Sequence, residues 1–396
     1  MSSVKTAAAA HDGASHATRL RARAGRLLPR SLMVAGIALA FGLIALPAAA
    51  ADWWSATPSV SIGSTTINVR NAGAFGDGVH DDTSAFQAAI NSLPATGGTI
   101  TVPAGTYMID ALRSINMRSH VRLQLASGAK LAALPNSAQR YSIIKVSRVT
   151  DVEISGGTIA GERARHIGTS GEWGMGVNVL ASNKVYLHDF TVSDCWGDGL
   201  YIGAIGSAGY ATPSTDVTVT NVVSNNNRRQ GLSFGPVNRA FVYKSTFSNT
   251  NGTKPEHGID IEPQVQGPST NIRIESSVMN GNRGNGLEMS DNVSGVVLKS
   301  STLKGNNGFG VLIGGTSSNA WLAANLITEN GLDGIALVAP TRSIKITSNT
   351  VTYNSTRWFV ANNKSIYTLT SSTRDLDIPS SLSNITVTGN KLSPTP

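Results

Sequence analysis

A repeat in the centre of this 396-residue chain restricts its possible folds more than any other feature. In each unit a glycine precedes a short apolar segment, and these glycines stand at positions 199, 231, 258, 286, 310 and 334. The units alternate Val, Ile, Leu and Thr over short runs separated by turns rich in Asn and Gly, which is the pattern of short β-strands. A unit of this size cannot bury its own apolar face, so the units must stack on one another.

The period of the repeat predicts an all-β solenoid. A spacing of 24 residues or slightly more fits one turn of a parallel β-helix. A leucine-rich repeat has a similar period, but its Leu and Asn consensus is missing, and a propeller blade is longer. Four positions before the repeat glycine, four units place an asparagine at the same turn, which we expect to form a structural ladder: Asn227, Asn282, Asn306 and Asn330.

The composition agrees with this class of fold. With 40% hydrophobic and 14% charged residues the chain is too apolar for a disordered protein. Its richness in Gly, Ser, Thr, Asn and Val also excludes a helical bundle. The single cysteine, Cys195, excludes an intrachain disulfide framework, and we expect it to be a small buried apolar group rather than a nucleophile.

The segment before the repeats predicts a cap. A strand is expected over Thr66–Asn71, and Asp82 is well placed as the N-cap of a helix over about residues 83–92. This helix would cover the open end of the solenoid, whose exposed strand edge would otherwise favour aggregation.

The same segment carries a resemblance to a known group of proteins. The sequences GDGVHDDTSAFQAAI and GGTITVPAGTY, followed by the coils, resemble the pectate-lyase superfamily. The resemblance implies a right-handed parallel β-helix and a polysaccharide substrate, since the superfamily contains polygalacturonases, tailspike depolymerases, rhamnogalacturonan-degrading enzymes and alginate C5-epimerases. The motifs that carry catalysis in polygalacturonases and in the epimerases are not found in order here, so their catalytic residues cannot be carried over. We predict one domain over 52–396, with a cap at about 66–110 and coils at about 111–392.

The first 51 residues have the pattern of a secretory signal peptide. Five arginines between positions 19 and 30 precede an apolar run from Leu32 to Leu46 and an Ala-rich boundary. A membrane anchor is the alternative, but the run is shorter than the roughly 18 residues that a span needs. Without this segment the chain has 26 basic and 23 acidic residues. We therefore expect an extracytoplasmic protein with no membrane span after cleavage and no nucleic-acid partner.

Strand alternation predicts where chemistry could occur. The first and third residues after each repeat glycine are apolar and should face the core, so the second and fourth should face outward. Asp260 and Glu288 are then neighbours on successive coils, with Glu262 beside them. Because like charges at this distance raise at least one pKa, the pair suits a general acid with an ionised base. Asp260 and Glu288 are the preferred catalytic pair, and Glu262 would tune the site or bind substrate.

Further residues gather around these carboxylates. His257, in the turn before Asp260, is a fourth candidate catalytic residue. We expect substrate to be bound by charged side chains of the neighbouring turns and by flat aromatic rings on which sugars stack. These candidates are Arg228, Arg229, Asp198, Arg283, Tyr201, Trp196 and Trp173.

Three functions remain open at this point. The first is a glycoside hydrolase with two carboxylates and no cofactor or metal. The second is a lyase or C5-epimerase on a uronic-acid polymer, in which Arg228 or Arg229 neutralises the substrate carboxylate, His257 and Tyr201 act as base and acid, and the acids could hold Ca²⁺. The third is a non-catalytic glycan-binding protein, because the fold alone does not imply catalysis. The sequence leaves the oligomeric state open.

Overall fold

Three long parallel β-sheets form the fold of this protein. The computed structural model describes residues 54–355 and 375–393, so the predicted signal peptide lies outside the described residues. The sheets contain 12, 12 and 10 strands, and from the second coil onwards the chain passes through them in turn before rising to the next coil. This is the parallel β-helix that the repeat predicts.

The strands of the first sheet are, in order, Thr65–Asn68, Gly98–Val102, Val121–Leu125, Thr150–Ser155, Asn183–His188, Ser214–Thr220, Val237–Tyr243, Ser269–Glu275, Val293–Lys299, Ser318–Ala323, Arg342–Thr347 and Ser383–Thr388. The strands of the second sheet are Asp77–Asp81, Gly105–Ile109, Ala129–Ala133, Thr158–Ala160, Thr191–Ser193, Val223–Asn225, Thr246–Ser248, Val278–Asn280, Thr302–Lys304, Leu326–Thr328, Thr350–Thr352 and Lys391–Leu392. The strands of the third sheet are Ile115–Asn116, Arg140–Ser147, Trp173–Leu180, Leu200–Gly203, Leu232–Phe234, Ile259–Ile261, Leu287–Met289, Val311–Ile313, Ile335–Leu337 and Leu376–Asp377.

The third sheet has the register that the alternation predicts. Ile259 pairs with Leu287, and Ile261 pairs with Met289. All four side chains are almost completely buried and belong to one continuous core. The outward side of the same strands is therefore free to carry a site.

The α-helix in the described part of the chain, Thr83–Ser92, confirms the predicted cap, and Phe86 and Ile90 bury their side chains against the first coils. The capping contact differs from the expectation. Asp82 occupies the N-cap position, but its carboxylate accepts hydrogen bonds from the backbone N–H groups of Phe75 and Gly76 instead of from its own helix. The acid thus ties the preceding loop to the start of the helix. The strand predicted before the cap ends at Asn68, and a 3-10 helix, Val69–Ala72, replaces its second half.

The asparagine ladder is present over the later coils. The Nδ2 group of Asn282 donates to Oδ1 of Asn306 at 2.8 Å, and Nδ2 of Asn306 donates to Oδ1 of Asn330 at 2.9 Å. The ladder continues to Asn354. Asn227 lies at the same turn but donates to Ser224, because the intervening coil lacks an asparagine at this position. These residues satisfy buried backbone groups and have a structural role.

Cys195 is buried as expected, and burial raises the pKa of its thiol well above the ordinary value. A thiol that resists ionisation is a poor nucleophile. The described residues contain no helix that is both long and apolar enough to cross a bilayer.

Candidate functional site

The outward column of the third sheet contains the predicted acids side by side. Ser233 pairs with Asp260, and Asp260 pairs with Glu288 on the next strand. Strands in register lie about 4.8 Å apart, so the two acids start from neighbouring backbone positions. On the following strand the column continues with Leu312, where the acidic character ends.

Asp260 faces outward, as the alternation predicts, but is only 3% exposed. The side chain of Gln230 covers it, and Nε2 of Gln230 donates to Oδ2 of Asp260 at 2.6 Å. Burial, reinforced by the negative charges of Glu262 and Glu288, raises the pKa of Asp260 to about 7 against the opposing effect of His257 and Arg229. Asp260 can therefore hold a proton near neutral pH.

Glu288 has the opposite character. Burial alone would raise its pKa, but hydrogen bonds from His257 and Asn285 more than compensate and lower it. The Nε2 atom of His257 lies 2.7 Å from Oε2 of Glu288, and Nδ2 of Asn285 donates to the same oxygen at 2.7 Å. Two neighbouring carboxylates thus have pKa values shifted in opposite directions, which is the arrangement of an acid paired with an ionised base.

Both ring nitrogens of His257 make polar contacts within the protein. The backbone N–H of Asn285 donates to Nδ1 at 2.7 Å, so Nδ1 acts as an acceptor and the proton of the ring lies on Nε2, facing Glu288. In this arrangement the ring orients Glu288, and a catalytic role for His257 stays a prediction.

A second buried acid lies on the other side of Asp260. Asp198 is completely buried, accepts a hydrogen bond from the Ser233 hydroxyl at 2.8 Å, and pairs with Nη1 of Arg229 at 3.3 Å. Burial raises its pKa even with the guanidinium beside it. The ion pairs of Arg229 join it to Asp198 and, at 3.7 Å, to Glu172. Asp198 and Arg229 therefore form an ion pair beside Asp260.

Two adjoining clefts lie over the acids and open to solvent. The larger has a volume of about 830 Å³ and is lined by Tyr201 and Trp173 among others. The smaller has a volume of about 340 Å³ and is lined by Glu288, His257, Arg283 and Lys254. Asp260, Glu262 and Pro255 line both. An extended substrate could thus pass over the acids from one cleft to the other.

The remaining predicted residues divide into two groups. Trp173 is 37% exposed in the larger cleft, with the Arg140 guanidinium 4.5 Å from its ring centre. Arg283 is exposed at the smaller cleft and lies 3.7 Å from Glu256. Tyr201 lines the larger cleft, and burial raises the pKa of its phenol. These three side chains are accessible for substrate contacts.

Trp196 and Arg228 line neither of the two clefts, and their predicted contacts with substrate stay a prediction. The His166 ring stacks on Trp196 with centroids 3.9 Å apart, and the Arg228 guanidinium lies 3.8 Å from the Trp196 ring centre. Two groups this close must occupy opposite faces of the indole. Arg228 also donates to the Gly171 carbonyl at 2.7 Å. Both residues hold the preceding loop against the coil and leave no ring face for a sugar.

Gln230 and Asn285 are the site residues that the alternation missed. Each stands directly before a repeat glycine, as Asp198 and His257 do. From this position Asp198 contacts Ser233, Gln230 contacts Asp260 and His257 contacts Glu288, each on the next coil. The sequence does contain a signal for these contacts, namely the polar residue before each of these glycines. A polar side chain that is buried between coils needs a hydrogen-bond partner, and the neighbouring coil supplies it. Within 54–355 and 375–393, no group of three or more His, Cys, Asp or Glu side chains could hold a metal ion.

Comparison with known families agrees with the fold. The family described as "Right handed beta helix region" matches residues 135–264 and 264–393, and the chain belongs to this family. The family described as "Rhamnogalacturonase A/epimerase, pectate lyase-like" matches residues 66–150. Together these matches confirm the right-handed parallel β-helix and its pectate-lyase-like start.

Individual relatives cover the chain only in part. The uncharacterized protein YclG of Bacillus subtilis is 28% identical over 226 residues, which are 50% of this chain and 38% of that protein. The prophage-derived protein YorA of the same organism is 30% identical over 218 residues, or 48% of this chain and 36% of YorA. The chain therefore spans less than half the length of these relatives.

Solved structures share the fold over most of the chain. The A-module of the mannuronan C-5 epimerase AlgE4 from Azotobacter vinelandii has a TM-score of 0.58 at 17% identity, covering 83% of this chain and 97% of the module. The tailspike gp49 of an Acinetobacter baumannii bacteriophage, a capsular polysaccharide depolymerase, has a TM-score of 0.55 at 15% identity, covering 83% of this chain and 58% of gp49. The Streptococcus pneumoniae adhesin PfbA has a TM-score of 0.56 at 16% identity, covering 83% and 98%. At these identities the likeness concerns the fold.

Proposed function

We propose that this protein is an extracytoplasmic enzyme that hydrolyses a polysaccharide, with Asp260 as the general acid and Glu288 as the ionised carboxylate. One observation carries the proposal. Asp260 and Glu288 pair on adjacent strands and line the same cleft, and the pKa of Asp260 is raised to about 7 whereas that of Glu288 is lowered. Glycoside hydrolysis needs one carboxyl group of each kind.

The hydrogen bonds assign a role to each oxygen. Gln230 donates to Oδ2 of Asp260, so the proton of the neutral acid belongs on Oδ1. This proton would pass to the glycosidic oxygen as the bond to the anomeric carbon breaks. His257 and Asn285 both contact Oε2 of Glu288, which leaves Oε1 to take a proton from the attacking water or to bond to the anomeric carbon. In either case water supplies the new hydroxyl group and the leaving sugar keeps the proton from Asp260.

Substrate contacts would come from the two clefts. Glu262 lines both of them and makes no ion pair within the described residues, so it is available to a sugar hydroxyl. Trp173 offers a partly exposed ring on one side, and Arg283 offers an exposed guanidinium on the other. The polysaccharide class of substrate is supported by the mannuronan C-5 epimerase module and the capsular polysaccharide depolymerase, which have the same fold.

The structure supports hydrolysis over β-elimination or epimerisation. A lyase or epimerase needs a base that removes the C5 proton, for which we considered His257, and an acid for the leaving group, for which we considered Tyr201. Both nitrogens of His257 are engaged, which disfavours it as that base, whereas the raised pKa of Tyr201 keeps its phenol protonated, as an acid requires. Calcium, considered for the lyase alternative, is not required by the proposed hydrolysis.

The decisive experiment incubates the purified protein with a panel of plant and bacterial polysaccharides. Hydrolysis predicts new reducing ends without the ultraviolet absorbance of an unsaturated product, and Asp260→Asn and Glu288→Gln should each lower the rate by about 10²–10⁴. Glu329→Gln, which changes an exposed acid paired with Lys304, is the matched control and should keep full activity. Ultraviolet-absorbing product would support the lyase, and binding of a polymer without any turnover would support the glycan-binding alternative.

A further inference from the structure

The outer face of the first sheet has a trough that runs along the helix axis. In nine successive strands one residue adopts a positive φ, between 52° and 73°, and these residues stack above one another. Such a residue interrupts the extended strand and changes its direction. The column consists of Asp151, Lys184, Asp216, Arg239, Asn271, Gly295, Asn319, Ser343 and Asn384.

An irregular stretch of the chain itself, residues 54–61, fills the first half of this trough. The backbone N–H of Ser61 donates to Asp151 at 2.9 Å at one end, and Trp54 stacks on Arg273 at 4.2 Å at the other. Between them the carbonyl of Ala56 accepts two hydroxyl hydrogen bonds at 3.0 Å from the intervening strands. Seven residues can span at most roughly 23 Å and four strand spacings cover roughly 19 Å, so this stretch, with one bend at 56–57, is long enough to cross the strands along the axis.

The second half of the trough continues beyond Arg273 as an open cavity of about 580 Å³. Trp321 is 41% exposed in it, and Nε1 of its indole donates to the Thr347 hydroxyl at 2.8 Å, which fixes the ring. Lys345 is exposed and is the register partner of Trp321 on the next strand. The other lining residues are Asn319, Ala320, Ser343, Asn384 and Thr386.

We propose that this open half binds an acidic polysaccharide chain that lies along the helix axis. A fixed indole face suits a sugar ring, and the amide and hydroxyl groups suit its hydroxyls. Lys345 supplies positive charge, and in the described part of the chain no carboxylate lines the cavity. The charge complementarity therefore favours an acidic polymer. A protein ligand is disfavoured, because one aromatic side chain offers little of the apolar core that protein interfaces need.

This site is separate from the clefts of the third sheet. It would bind the polysaccharide at a second point and so increase the effective concentration of the polysaccharide near the clefts of the third sheet. The proposal does not depend on hydrolysis, because it concerns binding by another sheet.

Affinity electrophoresis tests the proposal with the purified protein in gels that contain polygalacturonate, alginate or, as a neutral polymer, dextran. At least one acidic polymer should retard the parent and dextran should not. Trp321→Ala and Lys345→Ala should each weaken binding about tenfold, whereas Trp321→Phe and Lys345→Arg should retain most of it. Lys130→Ala, at an exposed lysine of the second sheet, is the matched charge control and should bind as the parent does. Thermal unfolding of each variant confirms that it is folded.

Other outcomes would overturn the proposal. One is an absence of retardation by both acidic polymers, and another is equal retardation of the parent, Trp321→Ala and Lys345→Ala. A loss with Trp173→Ala but not with Trp321→Ala would locate binding in the third-sheet cleft instead. Asp260→Asn should keep the retardation even where it abolishes turnover, so that failure of this proposal and failure of the proposed hydrolysis are distinguishable.

Discussion

Gln230 bridges two coils through Asp260: its Nε2 donates to Oδ2 of Asp260 at 2.6 Å, and its Oε1 accepts the backbone N–H of His257 at 2.7 Å. Both ends of one buried amide are thus used, and the carboxylate and the turn beside it are fixed together. The same turn positions the His257 ring against Glu288. One glutamine therefore connects the two acids that the proposed hydrolysis requires.

Replacement of this amide should weaken both the fold and the site. Gln230→Ala leaves a buried backbone N–H and a buried carboxyl group without a partner, which should cost about 1–3 kcal/mol for each group. We expect a loss of about 2–6 kcal/mol in the free energy of unfolding, measured by urea denaturation. Gln230→Glu keeps the acceptor for His257 but places a second acid against Asp260, and it should raise the pKa of the pair further. Parent-like stability of Gln230→Ala would contradict the bridging role.

The inward-facing residues of the third sheet lead to a prediction about stability that does not depend on activity. Ile261 is completely buried, so Ile261→Asp would place a charge in the apolar stack without a partner. The variant should lose several kcal/mol of stability and fail to fold cooperatively, as followed by circular dichroism during heating. Glu262→Gln, at the next and outward position, is the control and should melt close to the parent.

The repeat made much of this geometry predictable from the sequence. The period of the glycines and the two-residue alternation predict that Asp260, Glu262 and Glu288 share one outer face. The strand register pairs Asp260 with Glu288, and all three side chains line the smaller cleft. The alternation gives the direction of a side chain but not what covers it. The burial of Asp260 under Gln230, and the orientation of His257 toward Glu288, depend on side-chain contacts between coils.

The surroundings of Trp196 show where the repeat offers no guidance. Trp196 lies in a turn, and its two faces are covered by Arg228 and by His166. His166 comes from a loop of irregular sequence, where no periodicity predicts which coil it will contact. The sequence does not predict the trough on the first sheet either. The residues at its stacked bends are of different types and share only a positive φ.

His257 should act on the pH dependence of activity through Glu288. Hydrogen bonding by His257 lowers the pKa of Glu288, so removal of the ring should raise it and move the acidic limb of the pH–rate profile to higher pH. We expect His257→Ala to lower kcat about tenfold near neutral pH and to shift this limb, whereas a merely structural role would leave the limb in place. Turnover of any susceptible polymer measured from pH 3 to 9 checks the shift. Asn285→Ala removes the other hydrogen bond to Oε2 and should move the limb in the same direction.

Asp260 should make stability depend on pH in a direction opposite to that of an ordinary ion-paired acid. Its pKa in the folded protein is about 7, against an ordinary value of 3.8, so the folded state binds the proton more tightly than the unfolded chain does. The stabilisation that accompanies protonation is fully present below pH 3.8 and is lost as the pH rises to about 7. Asp260→Asn keeps the shape and never ionises, so it should lack this loss and be more stable than the parent at pH 8, by on the order of 2–4 kcal/mol. At pH 4 the two proteins should differ little. Urea denaturation of both at the two pH values measures the difference, and an Asn variant that is less stable than the parent at pH 8 would show that the ionised carboxylate stabilises the fold.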